Sequence, residues 1–424
     1  MRKVIQIFQK IDSKRLLTLG LLFVLALVVR VYFTWDEYQA YGTDNWADAA
    51  NYLKYGKSFA SGDFYPSFAG RPYLIVGPVI PLLVALATKL AGDPILPMLL
   101  LNCFLSSLLV FVLFSLGRRL VNVATGYFMA LWAVFNFGLI RLNFQILKEP
   151  LLTLIIPLIL LCLLHVHEKK KENLNLISGI LLYSLLIHTD ERFIAYFPII
   201  LIALVLMGGL PSGLKKAGLA LLILMLSMVP WTLRNYKQHD QLVILTPRTT
   251  TITSRFWGRD LGKLHFSAEN GVKAHPGYRR SVQEAQAWAI EEGVEFKEYG
   301  KYEKYWKAFW HYWKPANFRL TFIQYGFRGI KWSLGHNLSS LLFYGIYLPF
   351  YLAGCVLAFI RRRWRILLLA GLPLFHSLVH TLMVWPMERY RLPLDFMVAL
   401  VALWFVKEVF WKNSGQSIST LEEA

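Results

Sequence analysis

The chain has 424 residues, 56% hydrophobic and 17% charged, with a formal net charge of +19. Many apolar runs reach the roughly 17–25 residues that a helix needs to cross a bilayer, which excludes an ordinary soluble domain. Lipid tolerates only helices and closed barrels. The alternating segments of a barrel are absent, so the expected fold class is an all-α polytopic membrane protein. The three cysteines, Cys103, Cys162 and Cys355, lie in apolar runs and offer neither a disulfide framework nor zinc spacing. So positive a chain could bind nucleic acid, but the charge is placed as a topology signal, and no nucleic-acid partner is expected.

In chain order, the basic start (Arg2, Lys3, Lys10, Lys14, Arg15) precedes an apolar run at 16–29 that continues into Arg30 without a small-residue cleavage site. It reads as an uncleaved anchor. Positive residues concentrate in short cytoplasmic loops, so a first span over about 16–34 puts the acidic stretch 35–91 outside, with Asp36, Glu37, Asp44, Asp48 and Asp63. Pro72, Gly77, Pro78 and Pro81 make 72–91 a poor continuous helix. Read as helices in the outer interface, it leaves Arg118-Arg119 inside. Further spans follow at 95–116, 122–140, 150–166, 174–188, 193–208, 217–233, 338–359, 366–384 and 390–406. The result is about ten spans with both termini cytoplasmic.

This topology divides the chain into an N-terminal transmembrane module (1–233, including the first loop 35–91), an extracytoplasmic loop (234–336), a C-terminal transmembrane module (337–412) and a disordered tail (413–424). Tyr299–Trp313 mixes aromatics with lysines and suits a helix at the lipid surface. Inside loops are basic. Outside loops carry mixed clusters at Asp44/Asp48, Lys148/Glu149, Asp190/Glu191/Arg192 and Glu388/Arg389/Arg391. Such clusters at one face suit a site, although interfacial Arg–Glu anchors are the plain alternative.

Four stretches then carry a resemblance. Asp48-xxx-Tyr52-xxx-Gly56-xx-Phe59-xx-Gly62 leads to a proline-containing apolar segment ending at Leu90-Ala91-Gly92. The others are Lys148-Glu149-Pro150, Pro230-Trp231-xx-Arg234-Asn235-Tyr236 and Arg389-Tyr390-Arg391-Leu392-Pro393. The set resembles GT-C glycosyltransferases, in particular bacterial relatives of the protein O-mannosyltransferases and of the lipid A aminoarabinose transferases, over roughly 16–236 and 385–405. The resemblance implies a GT-C-type fold with interfacial helices in the first outer loop, in the inner (plasma) membrane. It implies an inverting hexosyl or pentosyl transfer from a polyprenyl-phosphate sugar donor at the extracytoplasmic face. Asp48 is followed by Ala49 where the protein mannosyltransferases have a second acid, which leaves the acceptor open among lipid, glycan and protein.

Such a transfer needs a base for the acceptor proton and cations for the departing phosphate. Asp44 and Asp48 are four apart and share a face if helical; on position alone both also read as solvated loop acids or helix caps. The family spacing selects Asp48 as base, with Asp36-Glu37 left as interfacial acids. Glu149 reads either as a helix-start acid favoured by the macrodipole or, by the resemblance, as an acceptor-positioning group. Arg192, Arg234, Arg389 and Arg391 suit the donor phosphates, Arg389 first by motif, or serve as snorkelling anchors. Tyr52 joins them as a substrate contact. Asp48 and Glu149 could hold a divalent metal cation. His188 and His336 read as packing or capping residues. The alternatives are a transporter of an anionic solute or lipid, an O-antigen-ligase-like enzyme, and a non-catalytic envelope module.

Overall fold

A computed structural model describes residues 13–41, 47–65, 67–68, 71–72, 77–239, 243–245, 342–383 and 388–411. Asp44, His336, Tyr299–Trp313, the tail and most of the long loop lie outside the described residues. In chain order the elements are α1 (Ser13–Tyr41), α2 (Ala47–Ala60), β1 (Ser67–Phe68), β2 (Arg71–Pro72), α3 (Val79–Ala91), α4 (Ile95–Ser107), α5 (Leu109–Leu120) and α6 (Val123–Phe135). There follow α7 (Phe137–Arg141), α8 (Glu149–His167), α9 (Glu172–Thr189), α10 (Phe197–Gly208), α11 (Leu210–His239), α12 (Leu348–Ile360), α13 (Trp364–Met383), α14 (Glu388–Arg391) and α15 (Asp395–Val406). The two strands form one small antiparallel bridge, Phe68 opposite Arg71. The fold is all-α in every other described element.

By length and apolarity, six helical stretches among the described residues can cross a membrane: Ser13–Gln39, Ile95–Leu120, Glu149–His167, Glu191–Gly208, Leu210–Lys237 and Phe343–Ile360. A seventh is the pair Val123–Phe135 and Phe137–Phe144, bent by 40°. The other expected spans, 174–188, 366–384 and 390–406, coincide with helices that fall short of that measure. Polar residues (Asn173, Asn175, Ser178, Ser184, His188) dilute α9, and α13 counts as apolar over Trp364–Val379, the part of it whose side chains are described. The last is divided by a turn at Leu392–Leu394, with Pro393 at its start, between α14 and α15. Among its described residues the proline-rich 72–91 stretch forms one helix, α3, whose 13 residues rise about 20 Å, less than a ~30 Å hydrocarbon core.

The described residues fall into two compact units. One takes those within 1–43, 99–161 and 308–424. In it α1 packs along α5, α6 and α7, while α15 packs on α6, α12 and α13 and is buried over Asp395–Ala402. The α5–α6 hairpin is tight because Gly117 and Gly126 face each other: a Cβ on Gly117 would lie 2.9 Å from the Gly126 Cα. Small residues are what bring helices together where lipid supplies no hydrophobic drive. The other unit takes the described residues within 44–98 and 162–307. There α2 packs on α3, α3 on α9, and α11 on both α9 and α10. The outer leucines of α11 (Leu214, Leu222, Leu226, Leu233) are exposed, as a lipid-facing helix requires.

Candidate active site

Local sequence explains why α2 forms and where it stops. Ala49, Tyr52, Tyr55 and Phe59 recur at helical spacing and are all buried, giving the helix one apolar face. On that face a Cβ at Gly56 would lie 2.2 Å from Val84 Cγ1 and 2.9 Å from the Pro81 carbonyl oxygen of α3. Gly62, at φ +89°, ends the helix. The amides of Gly62 and Asp63 donate to the carbonyls of Phe59 and Ser58 at 3.1 and 3.0 Å, the Schellman arrangement that favours glycine. Tyr52, Gly56, Phe59 and Gly62 therefore serve packing and termination, and Tyr52, expected at the substrate, sits in the buried face. The remaining motif member is Asp48. It stands half-buried in the first turn of α2, where the helix dipole favours an anion.

Beyond Gly62, Asp63 accepts from the Ser58 hydroxyl at 2.8 Å and the Tyr65 amide at 2.9 Å. The Phe64 carbonyl accepts from Arg234 Nε at 3.0 Å and Nη2 at 2.5 Å. The Arg234 guanidinium lies 4.8 Å over the Trp231 ring and 5.3 Å over Tyr65. Trp231 Nε1 donates to the Leu245 carbonyl at 2.9 Å, and the Asn235 amide to Val243 and Leu245 at 3.0 and 2.9 Å. The Trp231-xx-Arg234-Asn235 motif is thus a clamp on two backbone segments. Arg234, expected on a donor phosphate, holds the first loop.

In the same unit Asp190 and Arg192 are buried. The Asp190 carboxylate accepts from Arg192 Nε at 2.7 Å and from its Nη2, a bidentate pair of the strong kind. The first loop approaches the end of α9 here: a Cβ at Gly77 would lie 2.1 Å from the His188 carbonyl oxygen. His188 Nδ1 donates to the Ser184 carbonyl at 2.8 Å, a packing arrangement.

The other unit holds Glu149 and Arg391. Glu149 opens α8 and is buried, and its carbonyl accepts from the Thr153 hydroxyl at 2.6 Å. Arg391 Nε donates to Asp395 Oδ1 and Nη1 to the Tyr344 hydroxyl, both at 2.9 Å. Its guanidinium sits 4.2 Å over the Phe343 ring, a cation–π contact. His376 Nε2 donates to the Tyr390 carbonyl at 2.9 Å, so α14 is held from both sides. The Arg389 side chain lies outside the described residues, although its backbone belongs to α14.

Sequence reasoning gave Arg30 no role, yet it is fully buried. Its Nε donates to Ser106 Oγ at 2.8 Å, Nη1 to the carbonyls of Ala26 and Val134 at 3.2 and 3.4 Å, and Nη2 to that of Ala133 at 2.5 Å. The last carbonyls of a helix have no intrahelical partner and carry its negative pole. Arg30 therefore caps α6 where the chain bends into α7. Ser106 in turn donates to Asn143 Oδ1 at 2.9 Å and Asn102 to the Gln145 carbonyl at 2.8 Å, fixing the segment that leads to Glu149. An arginine within an apolar run was the available signal.

Among the described residues no group of three or more His, Cys, Asp or Glu side chains is gathered as a metal would need, and Asp48 and Glu149 belong to different units.

Residues 75–233 match the family model described as dolichyl-phosphate-mannose-protein mannosyltransferase. The match runs from the approach to α3 through most of α11 and contains Glu149, Asp190 and Arg192; Asp48 precedes it and Arg391 follows it. No curated protein matches the chain. Over those residues the chain is similar to a family of the GT-C superfamily of membrane glycosyltransferases, and its apolar helices agree with a membrane protein of that class.

Proposed function

We propose that the protein moves a sugar from a polyprenyl-phosphate carrier to an acceptor hydroxyl at the extracytoplasmic face of the plasma membrane, with Asp48 as general base. The match to a family named for a dolichyl-phosphate-linked sugar supports the donor class. The residue assignment rests on one observation: Asp48, the acid at the family spacing, stands half-buried in the first turn of α2, a helix whose other motif positions serve packing or termination.

In the reaction the acceptor hydroxyl gives its proton to the Asp48 carboxylate as its oxygen bonds to the anomeric carbon. The bond from that carbon to the phosphate oxygen breaks with inversion, and polyprenyl phosphate leaves with the electron pair. The resemblance assigns the departing phosphate to Arg389 and Arg391, of which Arg391 is held by Asp395 and Tyr344. The resemblance gives Glu149 the positioning of the acceptor. Arg192 and Arg234 serve through the Asp190 pair and the Phe64 clamp, which keep the first loop in place.

Purified protein given a panel of polyprenyl-phosphate sugars and acceptors is expected to release polyprenyl phosphate with formation of a glycosylated product. Flux of an anionic solute in proteoliposomes without covalent product would contradict the reading and favour a transporter. Chelation tests the remaining expectation for Asp48 and Glu149. Loss of turnover in EDTA, restored by Mg²⁺ or Mn²⁺, would make them cation ligands; unchanged turnover would leave them acid–base and positioning groups.

A further inference from the structure

Three turns at one end of the unit containing α12 and α15 are drawn together by two contacts. Arg361 Nη1 pairs with Glu408 Oε2 at 2.5 Å, and Lys407 Nζ donates to the Val121 carbonyl at 3.2 Å. The turns between α5 and α6, between α12 and α13, and after α15 therefore form one surface. It carries Arg118, Arg361, Arg362, Arg363, Arg365 and Lys407, with Glu408 on the same three turns. Exposed aromatic rings lie beside these cations in the chain: Trp364 next to Arg363 and Arg365, and Phe410 and Trp411 just past Lys407.

Topology accounts for positive charge in such turns, but not for where it stands. The α12 terminus is a Schellman motif, the Arg362 amide donating to Phe359 at 3.1 Å and the Arg363 amide to Ala358 at 2.8 Å. Its left-handed position, filled by Gly62 at the end of α2, is filled here by Arg362 at φ +51°. The same substitution recurs at the end of α8, where Lys169 has φ +54° and the Lys169 and Lys170 amides donate to Val166 and His165. Among the described residues every non-glycine residue with positive φ is a cation: Lys169, Lys171 and Arg362. Glycine adopts this conformation at lower cost than any residue with a Cβ. A cation kept there serves something beyond the turn.

We propose that the arginine surface around Arg362 binds the phosphodiester headgroup of an anionic phospholipid. Guanidinium forks match phosphate oxygens, basic surfaces at membrane level attract anionic lipid, and the adjoining Trp364, Phe410 and Trp411 give the acyl and glycerol portions an apolar border. These rings set a lipid apart from free phosphate. The inference rests on the membrane location alone and does not depend on Asp48.

The test is native mass spectrometry of the purified protein titrated with phosphatidylglycerol or phosphatidylcholine, beside a thermal melt. Wild type is expected to retain several-fold more phosphatidylglycerol. Arg362→Gly relieves the left-handed strain, so it should melt no lower than wild type while binding phosphatidylglycerol roughly fivefold more weakly, the step for one cation at an anionic surface. Arg362→Gln with Arg363→Gln and Arg365→Gln should lose tenfold or more. Equal binding of the two lipids, wild-type binding by a folded Arg362→Gly, or displacement of lipid by millimolar inorganic phosphate would each overturn the proposal.

Discussion

Arg30 is a cation buried in a membrane helix and hydrogen-bonded to a hydroxyl and three backbone carbonyls. Its replacement by methionine keeps the bulk and removes the donors, leaving the ends of α6 and Ser106 short of partners. Each buried group so orphaned costs about 1–3 kcal/mol. Arg30→Met is expected to lose about 3 kcal/mol or more, and Arg30→Lys less, read as a fall in melting temperature in detergent; an unchanged Arg30→Met melt would contradict the capping role. Apart from Ala26, its partners stand 76 to 104 residues away, so the run of apolar letters around Arg30 could not reveal them. One closer pair was legible as a cluster, Arg192 with Asp190 two residues before it, whereas Arg391 meets Asp395, an acid one helical turn on and outside the expected clusters. What sequence did not reveal is that Arg234 closes on the backbone of Phe64, 170 residues away.

At the scale of elements, α2 and α3 form one packed piece in the first loop, joined where Gly56 meets Pro81 and Val84. A methyl group there must push α3 away. Overpacking of this kind costs about 1–3 kcal/mol, so Gly56→Ala is expected to lower stability by that amount and to reduce turnover by displacing Asp48. A variant with wild-type melting and turnover would show that the α2–α3 contact is not what holds the helix. The motif spacing was readable because helices repeat regularly, and the prolines of 72–91 announced a short helix. The break at Asn136 was not anticipated within the expected span 122–140. Asn136, extended at ψ 105°, accepts from the Leu139 amide at 3.0 Å and so starts α7 anew, a cap that hydropathy does not register.

For the whole molecule, apolar length and basic turns made a polytopic helical membrane protein legible, and the family match to 75–233 agrees with that class. The composition of the compact units was not legible. Each gathers non-contiguous segments, a property of contacts between distant parts of the chain. Of the ten expected spans, seven qualify by length and apolarity among the described residues; the others include α9, diluted by polar residues, and the α14–α15 pair, divided by a turn. Both depend on how neighbouring helices cover polar groups, and hydropathy along one segment does not contain that.

The most direct measurement is release of polyprenyl phosphate by purified wild type, Asp48→Asn, Asp44→Asn and Asp36→Asn, each with its melting curve. Loss of a positioned base lowers rates by roughly 10²–10⁴-fold. A fall of that size confined to Asp48→Asn, with wild-type melting, is the expected result. Wild-type turnover in folded Asp48→Asn would contradict the assignment and move the reacting carboxylate out of α2.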